Sequence, residues 1–115
     1  MNELRGRFYF RLTTNGNLVG EFSNDQSTHS QPESAERIPQ NSGSTKTPFG
    51  FLGAYQSSWF EPTANQAILA RLEITQKLGT HQIYTLRWIS NAVEYEGEAM
   101  IGEGLLIGDY RMIPT

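Results

Sequence analysis

The sequence contains no cysteine, no long hydrophobic run and no excess of basic residues. The absence of cysteine excludes disulfide bonds, thiolate catalysis, zinc ribbons and iron–sulfur clusters. The longest apolar run, Ala67 to Ala70, is far shorter than the about 20 residues of a membrane-spanning helix. Nine Lys and Arg residues against twelve Asp and Glu residues give a net charge of -3. We therefore expect neither a nucleic-acid partner nor a membrane partner.

The beginning of the chain, MNELRGRFYF, lacks the charged n-region and the apolar stretch of a secretory signal peptide. Together with the lack of an apolar span, this predicts a cytoplasmic protein. With 115 residues, the chain is expected to form a single domain over 1–115. The stretch Ser23 to Thr47 has only two apolar residues, which predicts a polar, mobile excursion at 24–47. The sequence leaves open whether this excursion is a lid, a strand with loops, or disordered.

Alternation of apolar and polar residues with period two dominates the rest of the chain. In the first segment, for example, Phe8 and Phe10 alternate with Arg7, Tyr9 and Arg11. This pattern is typical of half-buried strands, and no stretch keeps the 3.6-residue spacing of a helix. Alternating segments occur at 4–12, 18–22, 49–59, 68–74, 84–88, 93–101 and 106–112.

The number of strands decides the predicted architecture. Seven strands in a simple meander cannot close into an antiparallel barrel, because the first and the last would run in the same direction. An eighth strand within the polar excursion would remove this conflict, and residues 33–38 are the candidate. We therefore predict an all-β fold, an antiparallel up-and-down meander closing into an eight-stranded barrel. An open half-barrel or a β-sandwich is the alternative.

Turn residues between the segments predict the pairing of the strands. The expected partners are Phe10 with Phe22, Leu72 with Leu86, Leu86 with Tyr95, Tyr95 with Tyr110, and Gly97 with Gly108. With these registers, the last four strands separate into one uncharged face and one charged face. Registers derived from the turn residues alone thus place the uncharged side chains together on one face, as a closed sheet with a buried interior requires.

The charged face is predicted to be the outside of the barrel. There the registers place Arg87 and Arg111 on either side of Glu94, and Arg11 beside Glu21, which favours cross-strand salt bridges. A calcium site at Glu94, Glu96, Glu98 and Asp109 is the less favoured interpretation. The two histidines, His29 and His81, have no suitably spaced partner ligands, so we expect no metal and no cofactor.

The uncharged face is predicted to line the interior, with both tryptophans and four of the five tyrosines. An interior without charged residues offers no acid–base pair, so no catalytic residues are assigned. Tyrosine and tryptophan combine an apolar body with one polar tip, which favours binding of a neutral, apolar or aromatic small molecule. The candidate ligand-binding residues are Tyr55, Ser57, Trp59, Trp88, Tyr95 and Tyr110. Small inward residues such as Gly97 and Gly108 would leave room for a ligand, but a barrel filled by side chains is the alternative.

Two further interpretations stay open. An outward apolar row of Leu69, Ile89, Ala92 and Ile113 indicates a homo-oligomer, a dimer or a tetramer, which would suit a scaffold or interaction protein. A barrel-type lyase or isomerase that uses inward tyrosine and serine is the other alternative. The sequence favours a non-enzymatic binding protein over both.

Two segments resemble a known group of barrels. Residues 16–22, Gly-Asn-Leu-Val-Gly-Glu-Phe, are similar to the early Gly-x-Leu-x-Gly-x-Tyr/Phe strand of avidins. Residues 84–88, Tyr-Thr-Leu-Arg-Trp, are similar to their later aromatic-x-x-x-Trp strand. The chain therefore resembles the calycin group of lipocalin-type and avidin-type barrels. This resemblance implies a small β-barrel and a ligand cavity.

Overall fold

The computed structural model describes residues 4–26, 29–39, 50–61, 65–79, 82–91 and 93–113. Within these ranges it forms eight β-strands and no helix. The strands are β1 (Arg5–Leu12), β2 (Leu18–Asn24), β3 (Gln31–Arg37), β4 (Gly53–Glu61), β5 (Gln66–Gln76), β6 (Tyr84–Ile89), β7 (Glu94–Gly102) and β8 (Leu105–Met112). None of the described segments therefore forms an apolar helix of the length needed to cross a membrane.

The strands form a closed antiparallel barrel in which each strand pairs with the next along the chain and β8 pairs with β1. This confirms the predicted eight-stranded meander. The eighth strand is β3, which overlaps the predicted strand at 33–38 and pairs with β2 on one side and β4 on the other. Residues 27–28 and 40–47 of the predicted excursion lie outside the described residues.

The predicted registers are wrong by two residues at each of the four hairpins for which a pairing was predicted, β1–β2, β5–β6, β6–β7 and β7–β8. Phe22 pairs with Phe8, and not with Phe10; Leu86 pairs with Ile74, and not with Leu72. The β7–β8 hairpin shows the cause. Glu103 and Gly104 both have positive φ angles, so the two-residue turn is centred one residue later than predicted. Moving the centre of a turn by one residue shifts the pairing by two, and Ala99 pairs with Gly108.

The assignment of side chains to faces survives this error, because side chains alternate with period two. Sixteen apolar residues form one buried cluster inside the barrel, including Phe8, Phe10, Trp59 and Trp88. On the outside, Arg87 pairs with Glu94 at 2.7 Å as predicted. Arg111 instead pairs with Glu96 at 2.8 Å. Arg11 lies opposite Val19, so the predicted Arg11–Glu21 pair is wrong.

The two ends of the barrel differ in how they are packed. At the end where β3 finishes and β4 begins, which we call the closed end, fully buried side chains include Leu18, Ile74, Leu86 and Leu106. Arg37 lies across this end. Its guanidinium donates to the carbonyl oxygens of Gly16 at 2.8 Å and Leu52 at 3.0 Å, and to the hydroxyl of Tyr55 at 2.8 Å. The opposite end, where β2 finishes and β3 begins, is called the open end.

Candidate functional site

A cleft enters the barrel at the open end. Ten side chains from seven segments of the chain line it: Leu4, Phe8, Phe22, Asn24, Glu33, Trp59, Glu61, Trp88, Tyr95 and Tyr110. Six of them are aromatic, and two are carboxylates. The meander brings them together because inward positions near the ends of β1, β2, β4, β7 and β8 converge on one barrel mouth.

Four rings form an aromatic collar around this cleft, which we define as Phe22, Trp59, Tyr95 and Tyr110. Each ring contacts two others edge to face, and the four contacts close a circle with centroid distances of 5.7 to 6.3 Å. Edge-to-face contacts direct the positive edge of one ring toward the negative face of the next. The collar is therefore held in place by its own members.

Glu33 of β3 lies beneath the collar and is only 6% exposed. Its Oε2 atom accepts a hydrogen bond from the indole nitrogen of Trp88 at 2.9 Å and another from the hydroxyl of Ser57. No described residue donates to the other oxygen, Oε1. Since no buried polar atom of the described side chains lacks a partner, Oε1 is not fully sealed from solvent, and Glu33 is one of the residues that line the cleft.

Burial raises the pKa of Glu33 to about 7, although the hydrogen bonds from Ser57 and Trp88 act in the opposite direction. Loss of water is the cause, since a carboxylate in an apolar interior lacks the solvation that favours its charged form. The group therefore changes its charge near neutral pH. Burial also raises the pKa of Tyr95 and Tyr110, so both hydroxyls stay protonated in the same range.

The prediction of an inner face without charged residues is wrong, because Glu33 belongs to that face. The inference of a neutral ligand depended on that prediction and loses its basis. The physical reason lies in β3, where Ala35 is the apolar residue that turns inward. With period two, an inward Ala35 also turns Glu33 and Arg37 inward.

The barrel interior is almost filled. The cleft at its mouth has a volume of only about 20 Å³, enough for roughly one water molecule. Inward glycines do not leave a cavity, since neighbouring groups occupy the space. A Cβ atom added to Gly6 would lie 2.5 Å from the ring of Tyr110, and one added to Gly97 would lie 3.2 Å from the Cβ of the same tyrosine. Gly6 and Gly97 therefore make space for Tyr110 of the collar. The predicted space for a ligand beside the inward glycines is not present inside the barrel.

The structure brings four of the six candidate binding residues to the cleft: Trp59, Trp88, Tyr95 and Tyr110. Ser57 lies behind Glu33 and is fully buried, so its hydroxyl orients the carboxylate. Tyr55 lies apart from the cleft. Its hydroxyl donates to the carbonyl of Phe51 at 2.7 Å and accepts from Arg37 at the closed end.

Six cleft residues were not among the predicted binding residues: Leu4, Phe8, Phe22, Asn24, Glu33 and Glu61. The signal for Glu33 was present, because Ala35 is the natural inward residue of a polar strand. Glu61 follows Trp59 by two positions on β4, so the same period would have directed it to the mouth. Asn24 donates to the hydroxyl of Tyr110 at 3.3 Å, a contact between residues far apart in the chain that no local pattern indicates.

The outer surface gives no metal site among the described side chains. The predicted outward apolar row is wrong in its alignment, since Ile89 lies opposite Arg71 and not opposite Leu69. Ala92, the third member of that row, lies outside the described residues, as do Phe49 and His81. A homo-oligomer stays a prediction.

Comparison with known proteins adds no family. Neither a scan against protein-family models nor searches of curated proteins and solved structures gave a match to this chain. The resemblance to calycins therefore stays a prediction from the sequence, and the function is argued from the site.

Proposed function

We propose that the protein is a non-enzymatic small-molecule-binding barrel that takes an apolar or aromatic ligand at its open end. The observation that carries this proposal is the cleft itself: a collar of four aromatic rings above a buried carboxylate with one oxygen available. Aromatic walls with few polar groups at defined positions are the usual composition of ligand pockets.

The size of the cleft restricts how such a ligand would bind. The cleft volume of about 20 Å³ is far below the roughly 300 Å³ at the low end of drug-sized pockets. Only a small polar group of the ligand enters the depth beside Glu33. The body of the ligand lies against the collar, at the mouth of the barrel.

Protein-observed NMR with a set of small aromatic compounds tests this proposal. The set contains single-ring and two-ring compounds with neutral, cationic and anionic substituents. We expect binding compounds to shift the indole N–H signals of Trp59 and Trp88, since both rings line the cleft. If no compound shifts these signals, or if shifts cluster at the closed end, the proposal is wrong.

A matched pair of variants sharpens the test. Tyr95→Leu removes a collar ring, and Tyr84→Leu removes a tyrosine from the start of β6, at the other end of the barrel; both tyrosines are partly buried and contact the core. We expect Tyr95→Leu to weaken binding by about tenfold, since each aromatic contact contributes roughly 1 kcal/mol or more. Tyr84→Leu should bind as the parent protein does.

The inward carboxylate also favours a second candidate, a barrel-type lyase or isomerase with Glu33 as general acid or base. A carboxyl group with a pKa of about 7 in a cleft has the protonation behaviour that proton transfer at neutral pH requires. Incubating each bound compound with the protein in heavy water tests this candidate. Exchange of a carbon-bound hydrogen that disappears in Glu33→Gln would support it, and lack of exchange would favour binding alone.

A further inference from the structure

The charge of the cleft lining has one sign. Glu33 and Glu61 are its charged members, and no arginine, lysine or histidine occurs among the described residues that line it. The inward cation on the same strand, Arg37, lies at the closed end on carbonyl oxygens. An anionic ligand would therefore be repelled by both charged groups of the lining, while a cation would be attracted by them and by the ring faces.

Glu33 has no cationic partner in the described structure. Its hydrogen-bond donors, Ser57 and Trp88, are both neutral and both contact Oε2. A buried carboxylate without a counter-charge is costly, and the protein reduces that cost by retaining the proton up to about pH 7. A ligand that carries a positive hydrogen-bond donor would supply the missing partner at Oε1.

The volume of the cleft limits the size of the donor group that can approach Oε1. The cleft volume of about 20 Å³ favours a small group, such as a primary ammonium or a hydroxyl. The carbon attached to the polar group then lies between the collar rings.

The collar suits a cation as well as an apolar body. Ring faces attract positive charge, and the effect is larger where water is excluded. Tyr110 and Trp59 lie on opposite sides of the circle of contacts, so a group bound at the collar has aromatic rings on both sides.

From these four observations we propose that the ligand class is a primary amine in its protonated form, with an aromatic or compact apolar body. Its ammonium group donates to Oε1 of Glu33, and its body packs against the collar. This inference rests on the proposed binding function and adds the chemistry of the ligand.

Three probes of the same shape test the inference: benzylammonium, benzyl alcohol and benzoate. Fluorescence of Trp59 and Trp88 reports binding, because these are the two tryptophans of the chain and both line the cleft. At about pH 8, where Glu33 is mainly ionised, we expect benzylammonium to bind about tenfold or more tightly than benzyl alcohol. Benzoate should bind more weakly than either.

The variant Glu33→Gln should reduce benzylammonium affinity by about tenfold or more and leave benzyl alcohol nearly unchanged. Glu36→Gln is the matched control, since it removes the same charge from an exposed position of the same strand. We expect it to bind all three probes as the parent protein does.

A measurement on the parent protein keeps the test independent of whether Glu33→Gln folds. Besides Glu33, the titratable groups that line the cleft are Glu61 on β4, Tyr95 on β7 and Tyr110 on β8, and both tyrosines stay protonated. Lowering the pH from about 8 to about 5 protonates Glu33 and should weaken benzylammonium binding about tenfold or more. Benzyl alcohol binding should change little.

The outcomes separate the two proposals. If benzyl alcohol binds as tightly as benzylammonium, or if Glu33→Gln leaves benzylammonium affinity unchanged, the amine inference is wrong and the binding function stands. If benzylammonium does not bind while other aromatic compounds do, the same conclusion follows. If no aromatic compound binds at the cleft, the binding function fails, and the amine inference fails with it.

Discussion

The two ends of the barrel each hold one inward charged side chain of β3, and they satisfy it in different ways. At the closed end, Arg37 donates to backbone carbonyls and to Tyr55, and its guanidinium carbon lies 4.8 Å from the centre of that ring. At the open end, Glu33 has one oxygen bound by neutral donors, and no described residue donates to the other. At the closed end the charged side chain is therefore satisfied by groups of the fold itself, while at the open end Oε1 of Glu33 has no donor among the described residues.

Core substitutions give the largest expected contrast between the ends. Leu86→Ala, in the fully buried closed half, should lower the free energy of unfolding by about 3–4 kcal/mol, since it leaves a cavity. Leu4→Ala, at the cleft, should cost about 1–2 kcal/mol, because solvent reaches the space that it leaves. Urea unfolding measures both, and equal costs would contradict the contrast.

The pH dependence of stability isolates the open end. The pKa of Glu33 is raised from 4.5 to about 7 in the folded protein, so the folded state holds a proton that the unfolded state releases. Glu33 therefore makes its full contribution to the free energy of unfolding below about pH 4.5. This contribution is lost as the pH rises to about 7, which lowers the free energy of unfolding by roughly 3 kcal/mol. Urea unfolding between these values should show this loss in the parent protein and in Glu36→Gln. Glu33→Gln should lack it, and an unchanged pH dependence in that variant would contradict the assignment.

Two hydroxyl deletions give the smallest effects and the finest comparison. Tyr55→Phe removes two hydrogen bonds at the closed end, one to Phe51 and one from Arg37, and should cost about 1–2 kcal/mol at any pH between about 5 and 8. Ser57→Ala removes a donor from Glu33 and should cost about 1 kcal/mol, more above pH 7 than below it, because the donor favours the ionised carboxylate. Thermal unfolding at the two pH values would contradict this if both variants responded alike.

The fold was predictable because its information is local and repeated. Alternation assigned Phe8, Trp59 and Trp88 to the interior whether or not the register was right, since an error of two residues preserves the face. The sequence indicated the exact centres of the turns, and with them the registers, less well than it indicated the faces. At Glu103–Gly104 the positive φ angles fix the turn one residue beyond its predicted place.

The site was predictable only in part. The aromatic residues of the cleft follow from strand alternation, but Glu33 lies in a strand of mostly polar composition, where hydrophobicity gives a weak signal. Its burial depends on Ser57 and Trp88, which come from other strands and are distant in sequence. Asn24 contacts Tyr110 across a still longer separation in the sequence. Such contacts follow from the closed barrel, and a pattern within one segment does not contain them.

The carboxyl-carbon NMR titration of Glu33, with and without benzylammonium, tests the central claim most directly. We expect a midpoint of about 7 in the free protein, and a clearly lower midpoint with benzylammonium bound, because a cation at Oε1 favours the ionised form. Benzyl alcohol should leave the midpoint nearly unchanged. A midpoint in the ordinary range of glutamate, or one that benzylammonium does not lower, would contradict a buried carboxylate that awaits a cationic partner.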